Sequence, residues 1–126
     1  MFWYLATPYS KYPHGRQDAF HMACEQAGLL TNAGIVVFSP IAHSHPLVEY
    51  GGVKGTDFAA WERFDKAMIA ASQGCIVCMA TGWQESDGME KEIALFKEAR
   101  KPVVYMIPGK IPNAIPTVAR DQGGAN

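Results

Sequence analysis

Four acids crowd the ten residues 85–94, "ESDGMEKEIA": Glu85, Asp87, Glu90 and Glu92. The stretch reads as a helix start, with Met89, Ile93 and Phe96 as its apolar stripe. On a helical wheel Glu92 falls inside that stripe, whereas Glu90, Lys91 and Glu98 fall on the opposite side. Asp65 behaves alike on an earlier pattern, inside the arc formed by Trp61, Phe64 and Met68. An acid turned toward a core must be paired, protonated or functional. Glu92 could bond free N–H groups at its helix start, and Asp65 could serve as a local cap. Taken together, two inward acids near one crevice favour a working pair.

The elements that would place these acids alternate along the chain. The apolar runs "FWYLA" (2–6), "GIVVFSP" (34–40), "CIVCMA" (75–80) and "PVVYMI" (102–107) lack polar alternation, as strands covered on both faces do. Helical patterns at 16–31, 57–73 and 88–100 separate them. Alternation of this kind implies right-handed βαβ units. The expectation is a single domain over 1–126 with an α/β, small flavodoxin-like (Rossmann-like) three-layer fold. Its parallel sheet would hold about four or five strands, and about 119–126 would be a flexible tail.

In such sheets ligands bind beyond the carboxyl ends of the strands. The segments meeting there are "ATPYSKYPHGR", "SPIAHSHPLVEYGGVKGT", "TGWQESDG" and "PGKIPN". Tyr9 and Ser10 in the first are candidate substrate contacts. The second is long and rich in glycine, and reads as a substrate-covering flap carrying His43 and His45. If extended, it would point both histidines the same way, a two-ligand metal spacing that His14 or Asp57 could complete. The reading adopted is substrate contact, with no metal. Trp83 would stack on a base, or else pack on its own loop. Trp61 reads as core.

Composition narrows the partners. The 126 residues carry a formal charge of −1 and no cluster of Lys and Arg, which disfavours nucleic acid. No apolar run reaches about 18 residues, so no membrane span is expected. The start "MFWYLATPYS" lacks the marks of a secretion signal, and a cytoplasmic protein is expected. An odd cysteine count and the apolar setting of Cys75 and Cys78 favour buried structural thiols. No Walker-type loop or Gly-x-Gly-x-x-Gly occurs, so no nucleotide cofactor is expected.

Two carboxylates in a largely neutral site suit glycosidic-bond chemistry, one as nucleophile. A helix N-terminus would favour the ionised form of Glu92. Arg16 and Ser86 are natural phosphate contacts, Arg16 being otherwise a surface charge.

These residues carry a resemblance. "WYLATPYS", "RFDKAMI" and "SDGMEKEIALFKEARKPVVYMI" resemble the nucleoside 2-deoxyribosyltransferases. They resemble even more the related 2′-deoxynucleoside 5′-phosphate N-hydrolases. Ser86, Gly88 and Glu92 fill the Ser-x-Gly-x-x-x-Glu turn of the hydrolases, and Lys101-Pro102 opens the following strand. The resemblance implies Glu92 as nucleophile, Asp65 as its partner acid and Tyr4 beside the nucleophile. It assigns Gly15, Arg16 and Asp18 to the first helix start. It implies a nucleoside or nucleotide as the small-molecule partner, and a homo-oligomer. The "SPIAHSHPLVEYGGVKG" insert departs from the hydrolase pattern and looks more like a bacterial and phage branch of the same superfamily.

Overall fold

The computed structural model describes residues 1–117. The expected tail at 119–126 lies outside the described residues. In chain order the elements are β1 (Trp3–Ala6), α1 (Arg16–Asn32), β2 (Val37–Phe38), α2 (Pro40–Tyr50), α3 (Phe58–Ala71), β3 (Gly74–Cys78), α4 (Asp87–Glu98) and β4 (Val103–Met106). A short 3₁₀ turn, Trp83–Glu85, leads into α4. The strands form one parallel sheet in the order β2-β1-β3-β4. This is the expected three-layer α/β fold, with four strands.

The pleat divides the core in two. Leu5, Ile76 and Cys78 face one way and pack with Met22 and Leu30 of α1. Tyr4, Ala6, Cys75 and Val77 face the other way, against Ile69 of α3 and Met89 and Phe96 of α4. The two cysteines of "CIVC" therefore sit on opposite sides of the sheet, both buried as thiols.

The "SPIAHSHPLVEY" stretch is not an extended flap. Ser39 caps a true helix, its hydroxyl accepting from the Ala42 N–H at 3.2 Å. Pro40 occupies the first helical turn, where its missing N–H costs nothing. Only the residues between α2 and α3, 51–57, remain as a connection. Gly52 there has φ 74, in the left-handed region that glycine enters freely. Pro40 opens this helix, Pro46 lies inside it, and the double glycine follows its end.

Lys101 ties the two layers at the far end of α3. Its ammonium donates to the carbonyls of Ile69, Ala70 and Ser72 at 2.8, 2.7 and 2.6 Å. These carbonyls belong to the last turn and cap of the helix, where intrahelical N–H donors run out and partial negative charge collects. Lys101→Met is expected to cost about 1–3 kcal/mol. The check is a lower urea midpoint at an unchanged slope; an unchanged midpoint would make the contact energetically idle.

Candidate functional site

The order β2-β1-β3-β4 makes the chain turn opposite ways on either side of β1, so β1 and β3 flank a topological switch point. A cavity of about 500 Å³ opens there. Its walls come from the segment leaving β1 (Thr7, Tyr9, Ser10), the start of α1 (Arg16), one side of α2 (Ile41, Ser44), α3 (Trp61, Asp65), and the start and inner face of α4 (Ser86, Gly88, Glu92). That volume suits a drug-sized or nucleotide-sized ligand.

One polar contact joins Tyr4 and Glu92. The Tyr4 hydroxyl, fully buried in β1, donates to Glu92 Oε2. Strand alternation turns Tyr4 toward α4, and the apolar stripe of α4 turns Glu92 toward Tyr4. Glu92 lies in the second turn of α4, beyond the helix's free N–H groups. The helix start is instead capped by Ser86, whose hydroxyl accepts from the Met89 N–H at 3.3 Å. The capping alternative for Glu92 is thereby replaced by a tyrosine partner.

The electrostatics run against the expectation of an easily ionised nucleophile. Burial pushes Glu92 up to about 8; the Tyr4 hydrogen bond pulls the other way, and the nearby Asp65 charge raises it further. Burial likewise raises Asp65 to about 6. Tyr4 is raised far above a free phenol, by burial first and then by the Glu92 and Asp65 charges, so it stays protonated and donating. In Glu92, desolvation outweighs the helix dipole, which fades beyond the first turn.

Gly88 has room. A Cβ built there would meet nothing closer than Ser86 Oγ at 4.0 Å. The space beside it belongs to the cavity, where a ligand can approach the bare backbone of the α4 start. Arg16 lines the same cavity, with its guanidinium carbon 5.8 Å from the Tyr9 ring centre.

Seven of the expected site residues thus line one cavity: Tyr9, Ser10, Arg16, Asp65, Ser86, Gly88 and Glu92. Tyr4 supports it from beneath. His43, His45 and Trp83 stand elsewhere. His43 stacks on Phe64, with ring centres 4.7 Å apart and planes at 8°. His45 is buried behind Tyr9. Helical spacing, rather than extended spacing, sends the two histidines to separate neighbours. Among the described residues no group of three or more His, Cys, Asp or Glu is placed to hold a metal ion. Trp83 turns to Tyr105, with ring centres 6.0 Å apart, and lines a second depression outside the α4–β4 side.

Trp61, assigned to the core by its sequence pattern, instead lines the cavity, its indole N–H donating to the Lys54 carbonyl at 3.3 Å. It lies one helical turn before Asp65 on the same face, so the wheel that found Asp65 carried the signal. Thr7 and Ser44 also went unread, since nothing marks a lone hydroxyl as a wall residue.

Fold and cavity define a small parallel α/β domain with a carboxylate pair at its switch point. The chain belongs to the family described as "Domain of unknown function (DUF1937)", whose profile matches residues 2–107. No curated protein matches the chain. No described helix is long and apolar enough to cross a membrane.

Proposed function

We propose that this protein cleaves the N-glycosidic bond of a nucleoside or nucleoside 5′-monophosphate, by hydrolysis or transfer, with Glu92 as nucleophile. The observation that carries the reading is the Tyr4–Glu92 hydrogen bond in the floor of a cavity that Asp65 also lines. The resemblance to the nucleoside 2-deoxyribosyltransferases and deoxynucleotide N-hydrolases supports the same assignment.

In this mechanism ionised Glu92 attacks the anomeric carbon, and a glycosyl ester forms as the C–N bond breaks. The base leaves with that electron pair and takes up a proton from solvent. Tyr4 holds the attacking carboxylate in place. A water then attacks the same carbon, gives its proton to the Asp65 carboxylate and releases Glu92; a second base in place of water gives transfer. Asp65 also faces the sugar hydroxyls. No metal or cofactor takes part.

The phosphate subsite is Arg16 with the capped start of α4, where Ser86 and the bare backbone at Gly88 meet the anion. Arg16→Ala is therefore expected to weaken a 5′-phosphorylated ligand roughly tenfold to hundredfold more than the matching nucleoside, a charge-assisted contact of about 1.5–3 kcal/mol. Equal losses for both ligands remove Arg16 from that subsite.

One observation favours a second reading, a nucleotide-binding module without turnover. Glu92 is pushed to about 8, so much of it is protonated at neutral pH. A panel of deoxynucleotides assayed without metal separates the two. Base release supports the glycosidase, and ligand-induced melting shifts without release support the module. The homo-oligomer belongs to the same proposal: Phe58 at the cavity wall is 74% exposed and Tyr50 is 88% exposed, apolar surface that a neighbouring copy can cover. A monomeric sedimentation mass would remove it.

A further inference from the structure

The segment leaving β1 brings two hydroxyl-bearing residues, Thr7 and Tyr9, to the cavity wall that the chemistry above does not use. Thr7 Oγ1 is buried and finds no hydrogen-bond partner among the described residues. A hydroxyl in that state costs stability unless something else meets it. Two residues on, Tyr9 Oη lies 2.6 Å from Nδ1 of His45. Both residues line the cavity, and His45 does not.

The surroundings of His45 decide which way that bond runs. Its Nε2 faces Gln17 Oε1 at 3.0 Å and Glu49 Oε2 at 3.6 Å. An amide oxygen can only accept, so Nε2 carries the proton in the bond to Gln17, and the Glu49 carboxylate beside it favours the same placement. In the neutral ring Nδ1 is then a bare acceptor, and Tyr9 must donate to it. Phe20 holds the ring in this pose, stacked with centres 4.5 Å apart and planes at 18°. Tyr9 itself remains a phenol: burial raises it above its ordinary value, Arg16 opposing and Glu49 assisting. With its proton committed to His45, Tyr9 Oη has only lone pairs to offer.

We infer that Tyr9 Oη is fixed as a hydrogen-bond acceptor and, with Thr7 Oγ1, selects a ligand carrying an N–H or O–H donor. Resting on the nucleotide reading above, the donor is either an exocyclic amino group of the base or a sugar hydroxyl. Tyr9 and Thr7 are specificity residues, and His45 is a positioning residue that sets the polarity of Tyr9.

Calorimetric titration with two pairs of nucleoside 5′-monophosphates tests this. 2′-Deoxycytidine and 2′-deoxyuridine monophosphates exchange an amino group for a carbonyl; cytidine and 2′-deoxycytidine monophosphates differ by the 2′-hydroxyl. The wild-type protein is expected to prefer the donor-bearing member of one pair by about tenfold. The first pair then identifies the base as the source, and the second the sugar. Tyr9→Phe should erase that preference while leaving the weaker member's affinity nearly unchanged. Preferences equal in the wild-type and Tyr9→Phe proteins, for both pairs, overturn the inference. Thr7→Val should be at least as stable without ligand, yet bind the preferred member less tightly. Lower stability with unchanged affinity removes Thr7 from the site. If no nucleotide binds at all, the proposed function fails. The polarity of Tyr9 is still read from the ¹⁵N spectrum of His45, where a proton on Nε2 with a bare Nδ1 upholds it and a proton on Nδ1, with or without one on Nε2, overturns it.

Discussion

Glu92→Gln is expected to abolish base release while preserving the fold and ligand binding. An amide of the same shape keeps the Tyr4 hydroxyl bonded but cannot attack an anomeric carbon usefully. The same substitution should stabilise the protein in mild alkali. Glu92 has a folded-state pKa of about 8, well above its unfolded value. The stability of a raised group is fully present below the unfolded pKa and is lost as pH rises through the folded one. Wild-type protein therefore loses stability across roughly pH 4.5–8, on the order of 2 kcal/mol after allowance for the group's partial exposure. Glu92→Gln has no charge to bury, so its melting temperature should exceed the wild type's at pH 8.5 and match it more closely at pH 5. Glu90→Gln, on the exposed side of α4, should change neither property appreciably. Turnover by Glu92→Gln at the wild-type rate would end the glycosidase reading. Lower stability at pH 8.5 would contradict the burial of an uncharged acid.

How much of this site was legible from sequence depended on the range of the interaction. Helical periodicity alone turned Glu92 and Asp65 inward, because the wheel depends only on local geometry. The strands were equally plain, since unbroken β-branched runs such as "CIVC" have few other homes. The Tyr4–Glu92 bond joins residues 88 positions apart. It required the strand order and register, which no local pattern could supply; the resemblance implied only that Tyr4 stands beside the nucleophile. The histidines failed for the opposite reason. Length and glycines made "SPIAHSHPLVEYGGVKGT" read as a flap, although Pro40 suits a helix's first turn and Ser39 caps it. Once helical, His43 and His45 no longer share a side. Trp61 and Trp83 were exchanged because a helix pattern shows which side faces inward but not how far the helix extends past the sheet. The half of α3 that carries Trp61 and Asp65 reaches the crevice, whereas the turn that carries Trp83 folds back against β4.

The pH dependence of kcat/KM should rise with an apparent pKa near 8, the value to which burial drives Glu92, and level off above it. Only the carboxylate attacks, so protonated Glu92 is idle, and free enzyme below that pH is mostly in the idle form. Asp65, at about 6, is already ionised across this limb, and its negative charge is part of what holds Glu92 up. Asp65→Asn removes that charge without removing bulk. Its sign is therefore fixed: the limb should move to lower pH, even as the maximum rate falls because the second-step base is gone. A side chain that merely packs α3 could lower the rate, but it would not move the limb in that direction. Tyr4→Phe should do the reverse. It removes the hydrogen bond that favours the ionised form, so the limb should move to higher pH. Measured from about pH 5.5 to 9.5 on one substrate, the two variants should bracket the wild type. Limbs displaced in the same direction, or a wild-type rate that falls as pH rises toward 8, would show that Glu92 is not the group whose ionisation starts the reaction.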